Sequence, residues 1–397
     1  MTINTAVTKL NEIIEGEHMI GKFVGVESGV SLIVVGSVHG NEPSGVIALQ
    51  KISREMESLK NKLRGRVYFL AGNTRALNRR VRFIETDLNR HWTSENVEKN
   101  NINSVLQIAE DKEQSELLKI LNEILRTAND DVFALDLHST SAAGLPFATV
   151  GDTLRNRHFA QKFPVIFLLG IEEQLDGTML EYLNNRGVVT LGFEGGQHES
   201  SQAIENHEGL VWLSLVNSGI LAAEDVPDLK KYQQNLLKAS GKPRIVEVRY
   251  RQAITENEDF EMNQGYSNFQ TVRRNEVLAK DKNGEIRAKE SGLILMPLYQ
   301  KQGEDGFFIG REVAPFWLWL SEILRNWNIA DWIHFLPGVS YFPSDPDTLF
   351  VNTRVARFFP LQIFHLLGFR KLRWRENNLV VSRRRLHLQI LSTGQRK

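Results

Sequence analysis

Hydrophobic positions along this chain follow two rhythms. Short, nearly unbroken apolar runs recur at 20–38 (IGKFVGVESGVSLIVVGSV), 66–72 (RVYFLAG), 131–137 (DVFALDL), 163–170 (FPVIFLLG) and 188–193 (VVTLGF). Runs without polar alternation suit strands covered on both faces of a sheet. Between them, over 44–63, 114–127 and 174–186, apolar residues recur at the spacing of amphipathic helices. Buried strands alternating with helices predict an α/β fold with covered sheet faces, and place its chemistry at the strand ends.

The rhythm changes twice further along. A polar helix over 226–243 closes on Gly-Lys-Pro, and shorter alternating segments follow. Among these, Asn283-Gly284 between EVLAKDK and EIRAKE is a strong hairpin signal, so 244–312 reads as a small β-rich module. From about 313 the chain turns aromatic, with five of its seven Trp (Trp317, Trp319, Trp327, Trp332 and Trp374). The expected organisation is a catalytic α/β domain over 1–242, a smaller β-rich domain over 243–312, and a C-terminal extension over 313–397 made of a helix and a basic hairpin.

Composition narrows the chemistry. At 397 residues the chain exceeds what one core fills, while 42% hydrophobic and 24% charged residues are ordinary for a globular protein. There are no cysteines, which excludes disulfide scaffolds, thiolate metal sites and Cys nucleophiles. A metal must therefore rely on His, Asp and Glu. With no secretory leader pattern and no apolar run approaching a bilayer span, the expected location is the cytoplasm. Net charge is zero, yet residues 351–397 hold eleven Lys or Arg against the single acid Glu376, so this tail is +10 and residues 1–350 are −10.

Four motifs sit where the strands end. In GSVHGNEPSG (36–45), His39 and Glu42 follow a buried strand at a spacing that lets an imidazole and a carboxylate meet one ion. In FALDLHST (133–140), His138 ends a second strand as a third candidate ligand, and Asp136 lies two residues earlier on the same strand face, where it can orient the site. In VTLGFEGGQ (189–197), Glu194 ends a third strand beside two glycines, placed to accept a proton from an activated water and pass it on. In NTRALNRRVRFIETDLNRHW (73–92), Asn89 and Arg90 pair an amide with a guanidinium suited to a substrate carboxylate. Arg82 in the same segment can polarise a carbonyl, whereas Arg79 and Arg80 read as a solvated face.

HGNE at 39–42, RFIETDLNR at 82–90, DLH at 136–138 and FEGG at 193–196, in this order, resemble the succinylglutamate desuccinylase/aspartoacylase family, relatives of the zinc carboxypeptidases. The resemblance covers about residues 20–310. It implies a carboxypeptidase-like α/β/α zinc hydrolase domain with a smaller β-rich domain, and one Zn2+ per chain held by His39, Glu42 and His138. It further implies Glu194 as catalytic carboxylate, Arg82 as carbonyl-polarising arginine, and Asn89 and Arg90 as holders of the substrate's free carboxylate, with Asp87 in support. Arg186 is the only nearby candidate for the further arginine that family members use on the acyl side. Phe307, Phe308, Tyr266 and Tyr299 receive no role.

The implied substrate is a small N-acyl amino acid or similar carboxylate-bearing amide. Within enzymes the alternative is a metallocarboxypeptidase or amidase acting on short peptides or cell-wall fragments; outside them it is a non-catalytic scaffold working through its extension. Relatives point to a homo-oligomer, on which composition is silent. The aromatic segment of the extension is read as packing against the protein body or a twin subunit. The basic residues are read as one solvated face of a hairpin turning at Asn377-Asn378, in preference to a nucleic-acid or membrane surface.

Overall fold

The structure, a computed structural model, describes residues 13–102, 108–171, 174–198, 200–242, 244–342, 345–352, 361–375 and 378–383. The chain divides into two compact units, residues 1–150 with 159–312, and residues 151–158 with 313–397.

In the first unit the chain runs through β1 (Met19–Val24), β2 (Glu27–Gly36), α1 (Ser44–Met56), β3 (Arg64–Ala71), α2 (Thr74–Arg79), α3 (Ser94–Ile102) and α4 (Ala109–Thr127). It continues through β4 (Val132–Thr140), β5 (Phe147–Val150), β6 (Ile166–Leu169), α6 (Met179–Asn184), β7 (Val189–Gln197), α7 (Ser201–Asn217), α8 (Leu229–Ser240) and β8 (Ile245–Ala253), while most of α5 (Leu154–Ala160), between β5 and β6, belongs to the second unit. The β-rich part follows as β9 (Glu261–Met262), β10 (Thr271–Val272), β11 (Val277–Asp281), β12 (Gly284–Arg287), β13 (Gly292–Leu295) and β14 (Asp305–Glu312).

Eleven strands form one sheet in the order β1-β3-β2-β4-β7-β5-β6-β8-β14-β13-β10. Its centre is parallel: β2 pairs with β3 on one side and β4 on the other, and β4 pairs with β7. These are the apolar runs of the sequence, and they are sealed on both faces. Ile33, Val35, Leu70 and Ala134 pack against Leu117, Leu118 and Leu121 of α4 on one side. The opposite side is covered by α1 and by α7, where Leu210, Val211, Trp212 and Leu215 are all buried.

The change of rhythm near residue 243 falls where β8 joins β6 in parallel, so β8, β14, β13 and β10 extend the same sheet. Beside them β12, β11 and β9 make a three-stranded sheet, in which the Asn283-Gly284 hairpin forms with Asp281 opposite Gly284. Phe307 and Phe308 are buried on β14 as core residues of this part. The hydroxyl of Tyr299 accepts from the Tyr266 amide and donates to the Asn263 carbonyl, so both tyrosines brace loops.

The second unit holds α9 (Pro315–Asn326), β15 (Val339–Phe342), β16 (Asp345–Asn352), α10 (Leu361–Leu366), β17 (Phe369–Arg375) and β18 (Asn378–Arg383). Its antiparallel sheet has the order β15-β16-β18-β17 over a core that includes Leu349, Val351, Phe364, Phe369 and Val381. The expected hairpin is present as β17–β18, with Arg375 opposite Asn378. Asn377 and residues 384–397 lie outside the described residues.

Sequence and packing meet at Gly40. A Cβ there would lie 2.1 Å from the Ala76 carbonyl carbon and 2.3 Å from the Leu77 amide, so only glycine lets the loop after β2 cross α2. Gly40→Ala is expected to destabilise the first unit by about 3 kcal/mol or more, because backbone rather than a pliable side chain must move. Chemical denaturation read by tryptophan fluorescence checks this, and a loss below about 0.5 kcal/mol would show that the loop yields instead.

Candidate active site

Parallel register brings the motifs together at one end of the sheet. Gly36 of β2 lies opposite Leu137 of β4, and His138 of β4 opposite Glu194 of β7. Strand β2 is also where the order reverses, with β3 on one side and β4 on the other, a topological switch point whose carboxyl end opens into a crevice. Just before the loop Ser37 adopts a left-handed backbone (φ 58°), and its Oγ donates to the Glu42 carbonyl at 2.9 Å. The Glu42 amide in turn donates to the His39 carbonyl, closing a turn that points both side chains inward.

His39, Glu42 and His138 are buried and each offers one ligand atom within 4.8 Å of the others. Both imidazoles turn Nδ1 to the same carboxylate, His39 at 2.9 Å from Glu42 Oε1 and His138 at 3.2 Å from Glu42 Oε2. Their outer nitrogens are held by further carboxylates: His39 Nε2 is 3.0 Å from Asp87 Oδ1, and His138 Nε2 is 2.7 Å from Asp136 Oδ2. An imidazole whose Nε2–H is fixed by a carboxylate has its Nδ1 lone pair free for an ion. Glu42 also accepts from the Ser139 amide at 2.8 Å.

Electrostatics follow from this crowding. Burial alone would raise the carboxylates, yet the two imidazoles hold Glu42 well below its ordinary range, and His39 with Arg82 does the same for Asp87. Burial would likewise lower His138, but Asp136 and Glu42 hold it well above its ordinary value. Three buried carboxylates, Glu42, Asp87 and Asp136, face one fixed cation, Arg82. The excess negative charge favours a bound cation, and two imidazoles with a carboxylate are a donor set that suits Zn2+.

Glu194 differs from these. Its Oε2 is sealed from solvent without a hydrogen-bond partner among the described residues, and burial, opposed by His138, pushes the carboxyl up to about 7. A carboxyl poised there can take and return protons near neutrality. Arg82 bonds Asp87 Oδ2 through Nε at 3.2 Å and Nη2 at 3.0 Å, leaving Nη1 3.5 Å from Glu42 Oε1.

Asn89 and Arg90 are arranged less simply than their adjacency in sequence implies. The Asn89 Oδ1 accepts from the Met179 amide, and its Nδ2 lies 3.4 Å from His138 Nε2. Arg90 donates to Asp305 Oδ2 at 2.7 Å and to the Asn89 carbonyl at 2.9 Å. Asp305 is shared with Arg251, whose Nε is 2.5 Å from Oδ1. Arg186 is not brought to this group. It precedes β7, some eight residues or about 26 Å of extended chain from Glu194, and is exposed with its guanidinium 3.5 Å over the Tyr182 ring.

Several contributors had no motif to announce them. Glu110 of α4 is fully buried and accepts from the amides of Ile84, Glu85 and Thr86, shaping the loop that carries Arg82. Glu113, one helical turn later, accepts from the Thr74 and Arg75 amides at the start of α2. His18, Glu113 and Glu116 also cluster, but Arg75 Nη1 holds both carboxylates at 2.7 Å, which makes the group a clasp. His198 bridges Ser139 Oγ and Gln300 Oε1 at 2.8 and 3.1 Å. A cleft of about 840 Å³ runs beside Asp87, lined among others by Glu85, Arg251, Tyr299, Gln300 and Glu304.

Part of the chain is similar to known proteins. The succinylglutamate desuccinylase/aspartoacylase catalytic domain matches residues 28–203. Over these residues the chain is similar to the succinylglutamate desuccinylase/aspartoacylase family. A probable aspartoacylase of Acaryochloris marina is 35% identical over 131 residues, 32% of this chain and 41% of that protein. A succinylglutamate desuccinylase of Pseudomonas paraeruginosa is 35% identical over 83 residues, 21% of this chain and 25% of that one. The chain thus spans well under half the length of these curated relatives. The crystal structure of a succinylglutamate desuccinylase/aspartoacylase from Rhodobacter sphaeroides superposes with a TM-score of 0.52 at 16% identity, over 73% of this chain and 88% of that one, which shows the family's α/β fold.

His207 of α7 ties the ends of β4 and β7 together, its Nε2 donating to the His138 carbonyl at 2.9 Å and its ring lying against Gly195. Burial pushes this imidazole down from 6.5 to about 4. Between those values the unfolded chain takes up a proton that the folded one refuses, so stability is complete above 6.5 and is lost as pH falls. The group's share is ~3 kcal/mol. His207→Gln is expected to flatten the dependence of unfolding free energy on pH between 6.5 and 4 by close to one proton, measured by urea titrations at several pH values. An unchanged slope would refute the assignment.

Proposed function

We propose that this chain is a metal-dependent amidohydrolase that cleaves the linear amide of an N-acyl amino acid or similar carboxylate-bearing small molecule. The observation that carries the reading is Glu194, a half-buried residue whose Oε2 is sealed and unpartnered among the described residues and whose carboxyl is pushed up to about 7, placed across one strand pair from His138 in the His39–Glu42–His138 cluster. The names of the curated relatives support the amide-hydrolase class.

His39, Glu42 and His138 would hold one divalent ion, Zn2+ by their donor set. Bound there, it supplies Lewis acidity that lowers the pKa of water and polarises a carbonyl oxygen. Asp87 and Asp136 keep the two Nδ1 atoms available by holding Nε2. Glu194 accepts the proton of the attacking water and returns it to the departing nitrogen. Arg82, steadied by Asp87, donates to the oxyanion from Nη1. Arg90 receives the substrate carboxylate, in competition with Asp305. A free carboxylic acid and an amino acid or related amine leave the site. Against the alternative of a non-catalytic scaffold stands Glu194 itself, since a carboxyl oxygen sealed from water without a partner, as Oε2 is among the described residues, stabilises no fold.

Hydrolysis of a pooled panel of N-acyl amino acids is expected to fall about 10²- to 10⁴-fold in Glu194→Gln while its metal content, read by mass spectrometry, stays that of the wild type. His39→Ala and His138→Ala should lose both metal and activity. Equal turnover by wild type and Glu194→Gln would end the proposal. Asp305→Asn removes the competitor for Arg90 and is expected to lower KM for carboxylate-bearing substrates several-fold, by roughly 1 kcal/mol of binding, with kcat little changed. A raised KM would instead make Asp305 the residue that positions Arg90.

A further inference from the structure

The second unit turns its aromatic residues outward. On α9 the inward positions are Leu318, Ser321 and Arg325, whereas Phe316, Trp317 and Trp319 are 55%, 48% and 56% exposed. Buried Arg325 is held by Asp152 Oδ2 at 3.0 Å and by the carbonyls of Asp152, His365 and Leu366. The helix is thus inverted, with a fixed charge within and rings without. Beyond it Trp327, Trp332 and Phe335 are 71%, 66% and 70% exposed. So many large aromatic residues exposed within one segment are costly in water and mark an interaction site.

We propose that this unit binds the surface of an anionic lipid bilayer, with the exposed rings of residues 316–341 seated at the headgroup level. Three observations select that occupant. Large exposed hydrophobic residues elsewhere in the described chain are scattered aliphatics, whereas those in this segment are all aromatic and half of the six named here are more than 60% exposed. Trp and Phe beside cations are the residues that interfacial surfaces use.

Charge is the second. Residues 351–397 are +10, and Arg370, Lys371, Arg373 and Arg375 lie on β17, the strand beside β18. Arg383 of β18 pairs with Asp331 of the aromatic segment at 2.8 Å, which ties the basic sheet to the rings. Glu322 and Asp331 are the only acids between 313 and 341; Asp331 is paired with Arg383 at 2.8 Å, and Glu322 lies 2.9 Å from His158 Nε2.

Ring packing is the third. Phe316 contacts Trp317 and Trp319 at centroid distances of 5.5 and 5.6 Å, and Trp332 contacts Phe335 at 5.9 Å. Rings paired on one another within each group make apolar surface, whereas stacking of nucleic-acid bases needs open ring faces along a basic groove. No described helix is long and apolar enough to cross a membrane, which leaves attachment to its surface.

Sedimentation of the full chain with vesicles tests this. Roughly tenfold or more protein should be carried down by phosphatidylcholine vesicles containing phosphatidylglycerol than by phosphatidylcholine alone, with the excess reduced by added salt. The double variant Trp319→Ser, Trp332→Ser should abolish it without changing the circular-dichroism melt. If that variant melts differently, quenching of wild-type tryptophan emission by brominated phosphatidylglycerol vesicles decides instead, and quenching supports the proposal. Absence of vesicle binding at low salt would overturn it. So would a stable dimer dissolved by the same variant, or tighter binding to poly(U) than to the vesicles.

Discussion

The buried carboxylate of Glu42 is the constraint around which the first unit is arranged. A charge withdrawn from water is tolerated only when every lone pair finds a partner. Glu42 meets that demand with two Nδ1 atoms, one from the loop after β2 and one from β4, and with the Ser139 amide. Those partners are useful only if β2 and β4 end at the same height, which the pairing of Gly36 with Leu137 secures. The same register sets His138 opposite Glu194. A slip of one residue would turn every alternate side chain to the other face and leave the carboxylate unpaired, so the site and the sheet specify each other.

Two carboxyls at one site end in opposite states for a physical reason. Glu42 lies between two imidazoles and is kept ionised, while Glu194, with its Oε2 unpartnered and Glu42 nearby, is pushed toward neutrality. Residues of one type are thereby divided between holding charge and moving protons.

What was legible in the sequence was what has a local cause. The unbroken apolar runs mark the central strands because burial on both faces forbids alternation, and His39, Glu42, His138 and Glu194 stand at strand ends where side chains reach the crevice. Asn283-Gly284 announces its hairpin through backbone preference alone. The rest depends on contacts distant in the chain. Glu110 looks like an ordinary acid in the first turn of α4, yet it shapes the loop bearing Arg82. Arg186 is near Glu194 in number but lies before β7, at the other end of the strand. Asp305 could not be found from Arg90, since 215 residues separate the pair. The outward aromatics also escape periodicity, which shows that α9 has two faces but not that the polar one, with Arg325, is inside.

Arg325 gives that inversion a cause. A guanidinium carries five donors in a rigid fork, and one chain segment rarely supplies enough acceptors to bury it. Here Asp152 comes from the excursion 151–158, and the carbonyls of His365 and Leu366 come from the end of α10. Arg157 from the same excursion donates to Ser321 at 3.1 Å. With Ser321 and Arg325 of the inner face committed to this polar clasp, Phe316, Trp317 and Trp319 are left on the exposed face. The aromatic surface is therefore tied to how the unit holds itself together, and Arg325 cannot be lost without releasing both the α10 end and the face that α9 presents.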